Sequence, residues 1–356
     1  MASDLEVFLD TTAHRRPGRV LYSAGFTPDL RRRVIEHIGT EDIAGHYGFM
    51  RQKGLSVRRP EALAPLDFSR YWDGEDLPEG TTINENGVAM VPSGYFHFWG
   101  YASPLRNAVS LSELEDYPMD DMTDWDFSHM AGEVAEAHAD GRIAVAFVGH
   151  MYETSWLIRG YEQFLLDTIE RPAWAECLLE RIFRQNLILA VAAAKAGADV
   201  VFCGDDVANQ NAMMFSPDTW RRLIHSRWRK LWLAVKDIDP DVRIKYHSDG
   251  NVLAIIPELI DAGLDILNPL QPECLDVDEV HRRWGDRLTL DGCIGTQSTM
   301  PWGTPADVAE RVREVIDKYG REGGLIIAPT HVLEPEVPLE NIDALFDACR
   351  RYGSFR

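Results

Sequence analysis

The chain has 356 residues, 57 of them Asp or Glu against 36 Lys or Arg, for a formal net charge of -21. A phosphate backbone needs a cationic face, and the longest basic run is Arg31-Arg32-Arg33, so nucleic acid is not an expected partner. With 45% apolar and 26% charged residues the composition is that of a folded globular protein, and no apolar stretch reaches the ~18 residues of a membrane span.

The first residues, Met1-Ala2-Ser3-Asp4-Leu5-Glu6, lack a basic start followed by an apolar core, so no export signal is visible. The five cysteines, at 177, 203, 274, 293 and 349, are scattered without a Cys-x-x-Cys pair. They read as reduced thiols of a cytoplasmic protein.

In chain order, Arg19–Tyr22 predicts a strand and Pro28–Ile38 a helix. Residues 40–130 are rich in aromatics, Pro, Gly and acid, and predict an irregular insertion or lid within a single domain spanning 1–356. Inside it, Thr81 to Tyr101 predicts a hairpin turning at Pro92-Ser93-Gly94. Arg142–Val148 is an apolar run followed by a helical segment of about Gly160 to Ala196. Asp199–Cys203 precedes a helix opening at Ser216-Pro217-Asp218, with Ser as cap and Pro in the first turn. Val242–Tyr246 leads to a helix over Leu253–Ala262 that stops at Gly263. Asp265–Leu267 leads to Asp276–Trp284, Arg287–Leu290 to Thr304–Tyr319, and Leu325–Ala328 to Leu339–Tyr352. Seven strand–helix units are visible and the eighth is unassigned.

Apolar strands alternating with amphipathic helices predict an α/β protein with a buried parallel sheet. The number of units and the length fit a (β/α)8 TIM-type barrel with an N-terminal aromatic-rich insertion. An open doubly wound sheet is the alternative. It would want a Gly-rich loop after its first strand, and Ser23-Ala24-Gly25-Phe26 is not one.

In a barrel, reactive groups sit on the loops after the strands. Here those loops carry His150-Met151-Tyr152-Glu153, then Gly204-Asp205-Asp206 with Asn209-Gln210, and His247-Ser248-Asp249-Gly250-Asn251. They continue with Asn268-Pro269-Leu270-Gln271-Pro272, Asp291-Gly292-Cys293, and Pro329-Thr330-His331. Each is compatible with ordinary turn chemistry: Asp205-Asp206 as a helix cap, Asp249-Gly250 as a turn pair. Six polar strand ends in register point instead to one pocket. His247, Asp249 and His331 supply two imidazoles and a carboxylate, a set that suits Zn²⁺ or another divalent first-row ion. Glu153, Asp205 or Asp206 would add a fourth ligand, and Cys293 is a further neighbour. Metal-free acid–base work by His331 or His247 with a buried Asp is the other option. Spacing favours neither.

These loops resemble those of the uroporphyrinogen decarboxylase superfamily, which joins the haem-pathway decarboxylase with cobalamin-linked methyltransferases. The pieces that carry the resemblance include Leu157-Ile158-Arg159-Gly160, Gly204-Asp205-Asp206, His247-Ser248-Asp249-Gly250-Asn251 and Gly263 through Pro272. Further pieces are Gly303-Thr304-Pro305 and Ala328-Pro329-Thr330-His331 through Asn341. Their order and spacing are specific for the fold and the superfamily, not for one reaction. The zinc methyltransferases of the group look like His-x-Cys after one strand and a second Cys after a later one. Here the matching positions are His247, Asp249 and His331, so the site looks harder and less suited to zinc–thiolate chemistry.

The resemblance therefore implies metal-assisted methyl transfer from a small methylated compound to a corrinoid on a partner protein. His247, Asp249 and His331 would be the ligands, and Glu153, Asp205, Asp206 and His331 the acid–base groups. Tyr152, Trp156, Arg159, Asn209 and Gln271 would bind substrate, with Phe96 and Trp99 as further lining. A decarboxylase of a small aromatic or pyrrole-type acid is the second reading, in which Arg58, Arg59, Arg106 or Arg159 would meet the carboxylates. A non-catalytic binding barrel is the third. The aromatic content, with 10 Trp, makes a homodimer plausible.

Overall fold

The computed structural model describes residues 2–93 and 98–355. Its strands are β1 (Leu21–Tyr22), β2 (Gln52–Gly54), β3 (Thr82–Ile83), β4 (Ala89–Pro92), β5 (Trp99–Ala102), β6 (Ile143–His150), β7 (Val200–Gly204), β8 (Arg243–His247), β9 (Ile266–Leu270), β10 (Thr289–Ile294) and β11 (Leu325–Pro329). Eight form one parallel sheet in the order β1-β11-β10-β9-β8-β7-β6-β2. The order runs round without the reversal that defines a doubly wound sheet. The two end strands meet where the Met50 N–H donates to the Tyr22 carbonyl at 2.9 Å. This is the TIM-type fold that the sequence predicts.

The missing eighth unit is β2. Its three residues, Gln-Lys-Gly, alternate between exposed and half-buried, so it has no apolar run to announce it. The predicted helix over 160–196 is two helices, Tyr161–Glu170 and Pro172–Ala196, and a third, Tyr152–Arg159, precedes them. Gly160 breaks Tyr152–Arg159 from Tyr161–Glu170 at φ +100°, and Pro172 opens Pro172–Ala196 from its first turn. The helix Leu339–Tyr352 ends where expected, and Gly263 closes Ile256–Ala262 in the left-handed conformation.

Two cores hold the barrel. The larger lies between strands and helices and includes Ala144, Ala146 and Val148 of β6 with Ile244 and Tyr246 of β8. The smaller fills the bottom of the barrel with Leu21, Met50, Ile143, Val200, Ile266 and Ile326. An unpredicted helix, Asp4–Thr12, closes that end by packing Val7 and Phe8 into it. Ser3 and Glu6 cap it reciprocally.

In the insertion β3, β4 and β5 form an antiparallel sheet. Residues 94–97 of the predicted hairpin, Gly94 of its turn and Phe96 among them, lie outside the described residues. The preceding stretch to Gly54 carries the helix Ile43–Tyr47 and β2, so the irregular part begins after the second barrel strand. Among the described residues no helix is long and apolar enough to cross a membrane. All five cysteines are free.

Candidate active site at the barrel mouth

Strand register stacks the inward side chains in layers. The lowest of three adjacent strands pairs Val145, Val200 and Arg243; the next pairs Phe147, Phe202 and Lys245; the top pairs His150, Gly204 and His247, with Asn268 beside His247. A bulge between Phe147 and Gly149 inserts one extra residue in β6. It re-aims His150 to the inside, where strict alternation would turn it out.

His247 stands on β8 because Tyr246 and Ile244 face the helices and the alternate residues face in. Its Nδ1 lies 2.7 Å from Asn268 Oδ1, an acceptor, so the proton sits on Nδ1 and Nε2 offers a lone pair. Nε2 lies 3.6 Å from Asp206 Oδ1 and 3.8 Å from Asp249 Oδ1. Asp206 Oδ1 accepts the Asp249 N–H at 2.8 Å, which ties the two loops together. Asp249 Oδ1 is buried and has no hydrogen-bond partner. Burial and the neighbouring Asp206 raise the Asp249 pKa, against the pull of His247 and His331.

Asp206, His247 and Asp249 thus bring three ligand atoms within 4.8 Å of one another. His331 is exposed on the loop after β11 and belongs to neither such group among the described residues. It reaches the site only as a charge acting on Asp249. Cys293 is fully buried and is in neither group.

The second group is His150, Glu153 and Asp205. His150 Nδ1 is 2.7 Å from Glu153 Oε2 and 2.9 Å from the Gly204 carbonyl. Burial opposes the His150 cation, but the Glu153 hydrogen bond and charge prevail and push its pKa up to about 9. Burial likewise opposes the Glu153 carboxylate, and His150 more than offsets it, so that pKa falls. At neutral pH the pair is an ion pair with the His150 Nε2–H left to face the mouth. In a ¹⁵N-histidine NMR titration His150 is expected to titrate near pH 9. In Glu153→Gln the burial that remains should carry the midpoint below the ordinary 6.5.

Asp205 is fully buried. The N–H groups of Met151, Tyr152 and Glu153 donate to its Oδ1 at 2.9, 2.7 and 3.2 Å, and the Trp228 indole donates to Oδ2 at 2.8 Å. Burial, then the Glu153 charge, pushes its pKa up to about 7 despite these donors. With both oxygens engaged it is a positioning residue: it holds the first turn of the Tyr152–Arg159 helix, and so Glu153.

The predicted substrate contacts divide. Trp156 is half-buried and packs on Tyr101 at 5.1 Å and Tyr161 at 5.3 Å, an aromatic wall joining the insertion to the mouth. Trp99 is 49% exposed on β5. Tyr152 is buried against Phe215 and Phe164. Arg159 is buried in an ion pair with Asp167 at 2.7 Å and also donates to the Leu105 carbonyl. Asn209 Oδ1 accepts the N–H groups of Asn211 and Ala212 and shapes its own loop. Gln271 Oε1 accepts the Gly250 N–H at 2.6 Å and so braces the His247–Asn251 turn. His150, Gly204 and Asn268 lie on the strand-end loops predicted to form the pocket but had no role of their own there. The i, i+3 spacing of His150 and Glu153 was a further signal for the first of them.

A parallel eight-stranded barrel with carboxylates and imidazoles gathered where its strands end is the architecture of a TIM-barrel site. Residues 108–352 match the family described as uroporphyrinogen decarboxylase (URO-D), and the chain belongs to that family. It is 31% identical over 192 residues to a methylcobamide:CoM methyltransferase, MtaA, of Methanosarcina barkeri, covering 54% of this chain and 53% of that protein. It is 24% identical over 194 residues to a uroporphyrinogen decarboxylase of Coxiella burnetii, covering 52% and 49%. The chain thus matches about half the length of these curated relatives. A methyltransferase structure from Methanosarcina mazei shares the fold over 99% of both chains, with a TM-score of 0.65 at 19% identity.

Proposed function

We propose that this chain is a metal-dependent methyltransferase that takes a methyl group from a small methylated compound and passes it to a corrinoid carried by a partner protein. The Asp206–His247–Asp249 group carries the reading. An ion with bonds of ~2.1 Å in tetrahedral geometry sets its ligands about 3.4 Å apart, and the observed 3.6 and 3.8 Å from Nε2 come close to that. The orphaned, buried Asp249 Oδ1 and an Nε2 freed by Asn268 fit a cation, and the imidazole–carboxylate donor set fits Zn²⁺ or another divalent first-row ion.

Such an ion, when bound, supplies a Lewis acid beside the heteroatom that bears the methyl group. The chain's residues do the rest. Asn268 orients His247, and Asp205 holds the helix turn that places Glu153. Glu153 keeps His150 protonated, and His150 Nε2–H gives its proton to the departing heteroatom. The heteroatom keeps the electron pair of the broken bond to carbon, and a Co(I) corrinoid supplies the pair for the new one. Similarity to proteins named methylcobamide:CoM methyltransferase supports a corrinoid as a methyl-carrying partner; the direction of transfer is this proposal's own. The irregular part of the insertion, after Gly54, is read as a lid over this mouth because Tyr101 packs on Trp156.

A decarboxylase acting on a carboxylated substrate has less support. The arginines that would meet those carboxylates are already paired, Arg58 with Glu133, Arg59 with Asp120, Arg106 with Glu75 and Arg159 with Asp167. Elemental analysis of the purified protein is expected to find a divalent metal at about one ion per chain. His247→Ala should lower its affinity by more than the ~10-fold that loss of a ligand's outer hydrogen-bond partner costs. Metal-free protein that releases CO₂ from an aromatic acid, untouched by chelator, would overturn the reading.

A further inference from the structure

The insertion lies against the helix Pro172–Ala196, and side chains of that helix pin it there. Arg181 donates to the Leu114 and Tyr117 carbonyls, and Gln185 Nε2 donates to the Asp120 carbonyl at 2.8 Å. Between the two pinned surfaces a cavity of about 390 Å³ remains. It is not the barrel mouth. Asn186, in its wall, approaches β6 from the helix layer, with Oδ1 3.6 Å from the place of a Cβ on Gly149. The strand thus stands between this cavity and the barrel interior.

Folded proteins leave few buried donors without an acceptor. Most donors around this cavity obey: Trp72 Nε1 donates to the Gly87 carbonyl at 3.1 Å, and the Tyr117 hydroxyl to the Asn86 carbonyl at 2.6 Å. Two donors do not. Trp125 Nε1 and Asn186 Nδ2 are buried without a hydrogen-bond partner, both residues line the cavity, and Asn186 is only 7% exposed. Leu66, Met122 and Leu189 belong to the same wall. A largely apolar cavity of this size with a few polar groups is built as small-molecule sites are.

The orphans define the missing partner. Both are N–H groups, so it carries an acceptor, and a carbonyl oxygen has two lone pairs, enough for both. The wall carries the carboxylates Asp120 and Glu85 against one cation among the described residues, Arg59. Asp120 already holds that guanidinium at 2.8 and 3.0 Å, so an anion would meet two carboxylates and no unpaired cation. An ammonium would bring donors to donors and lose its water in doing so. Water alone would satisfy the N–H groups and leave the apolar wall wet.

We propose that this cavity is a second binding site, separate from the barrel mouth, for a small neutral molecule with an apolar body and a carbonyl oxygen that meets Asn186 and Trp125. It does not depend on the methyl-transfer reading.

The test is titration of the full chain with 2-acetylnaphthalene, followed by calorimetry and by ¹H–¹⁵N spectra of the tryptophan indoles. The Trp125 resonance is identified by its loss in Trp125→Phe. The ketone is expected to bind in a 1:1 complex and to move the Trp125 indole proton downfield. 2-Ethylnaphthalene, of similar shape without the acceptor, should bind about 5-fold more weakly, and 2-naphthoate and 2-naphthylmethylammonium more weakly still. Asn186→Leu, which keeps the bulk, should cost the ketone about 5-fold and the hydrocarbon nothing, with circular dichroism unchanged. Equal affinity for ketone and hydrocarbon, tighter binding of either ion, or no binding of the ketone would overturn the proposal. So would a shift of the Trp156 indole in place of Trp125, which would put the ligand at the mouth. If Asn186→Leu does not fold, the ligand series and the indole shift on the unaltered chain decide alone.

Discussion

Replacing Asp205 with alanine is expected to lower the unfolding free energy by about 3–5 kcal/mol, the largest stability effect at the site. Three backbone N–H groups and the Trp228 indole lose their acceptor at once, in a place with no exposure to water. A lost helix cap alone costs ~1 kcal/mol; the excess comes from donors that stay buried and unpaired. The effect depends on pH. Burial and Glu153 raise the Asp205 pKa to about 7 from an ordinary 3.8, so the wild-type fold loses stability as pH rises through that window. The alanine variant has no such group. The gap between the two is therefore widest near pH 4 and narrows towards pH 7. Asp205→Asn keeps an oxygen for the helix turn but sets an amide NH₂ against the indole N–H, so it should recover only part of the loss. Urea unfolding of the three proteins at pH 5 and pH 8 checks both the size and the slope.

The contrast between Asp205 and Asp206 shows where sequence reading stops. Both follow an apolar strand and both carry a carboxylate, so composition and spacing cannot separate them. The fold does: Asp205 turns back into the helix layer to meet Trp228, 23 positions along the chain, and Asp206 turns towards Asp249, 43 positions away. The barrel itself was legible because seven of its strands are apolar runs and their helices carry N-caps and glycine stops. β2 was not, being three polar or small residues paired in register with Ile143, Ala144 and Val145. Its position is dictated by the neighbouring strand and by closure of the sheet. His247 and Asp249 were legible as an H-x-D pair at a strand end. Asp206 was legible only as a possible fourth ligand; that it lies nearer to them than the exposed His331 was not, because the reach of a loop depends on where it bends. The strand end at His150 was legible, but its inward direction was hidden by a bulge: period-two alternation from Phe147 puts it on the wrong face, and only the extra residue at Val148 corrects it.

Gly204→Ala is expected to weaken metal binding by at least ~100-fold, the upper end of what disturbing a ligand's support does, while the barrel stays folded. Gly204 lies directly between His150 and His247 in register, and an added methyl would stand 2.7 Å from both the Cβ and the carbonyl oxygen of His247. Real Cβ atoms do not approach so closely, and a carbonyl oxygen cannot swing aside as a long side chain can. β8 must therefore move, and with it Nε2 leaves the 3.6 and 3.8 Å spacing to Asp206 and Asp249. The contact that holds His247 in its working tautomer, 2.7 Å to Asn268 Oδ1, is strained by the same shift. Gly54→Ala is the matched control: it sits in β2 of the same sheet, and nothing lies within 4 Å of the Cβ it would gain. Titration of both variants with Zn²⁺ should show near wild-type affinity for Gly54→Ala and the loss for Gly204→Ala. Equal affinity in the two would mean that the ligands are not the ones grouped beside Gly204.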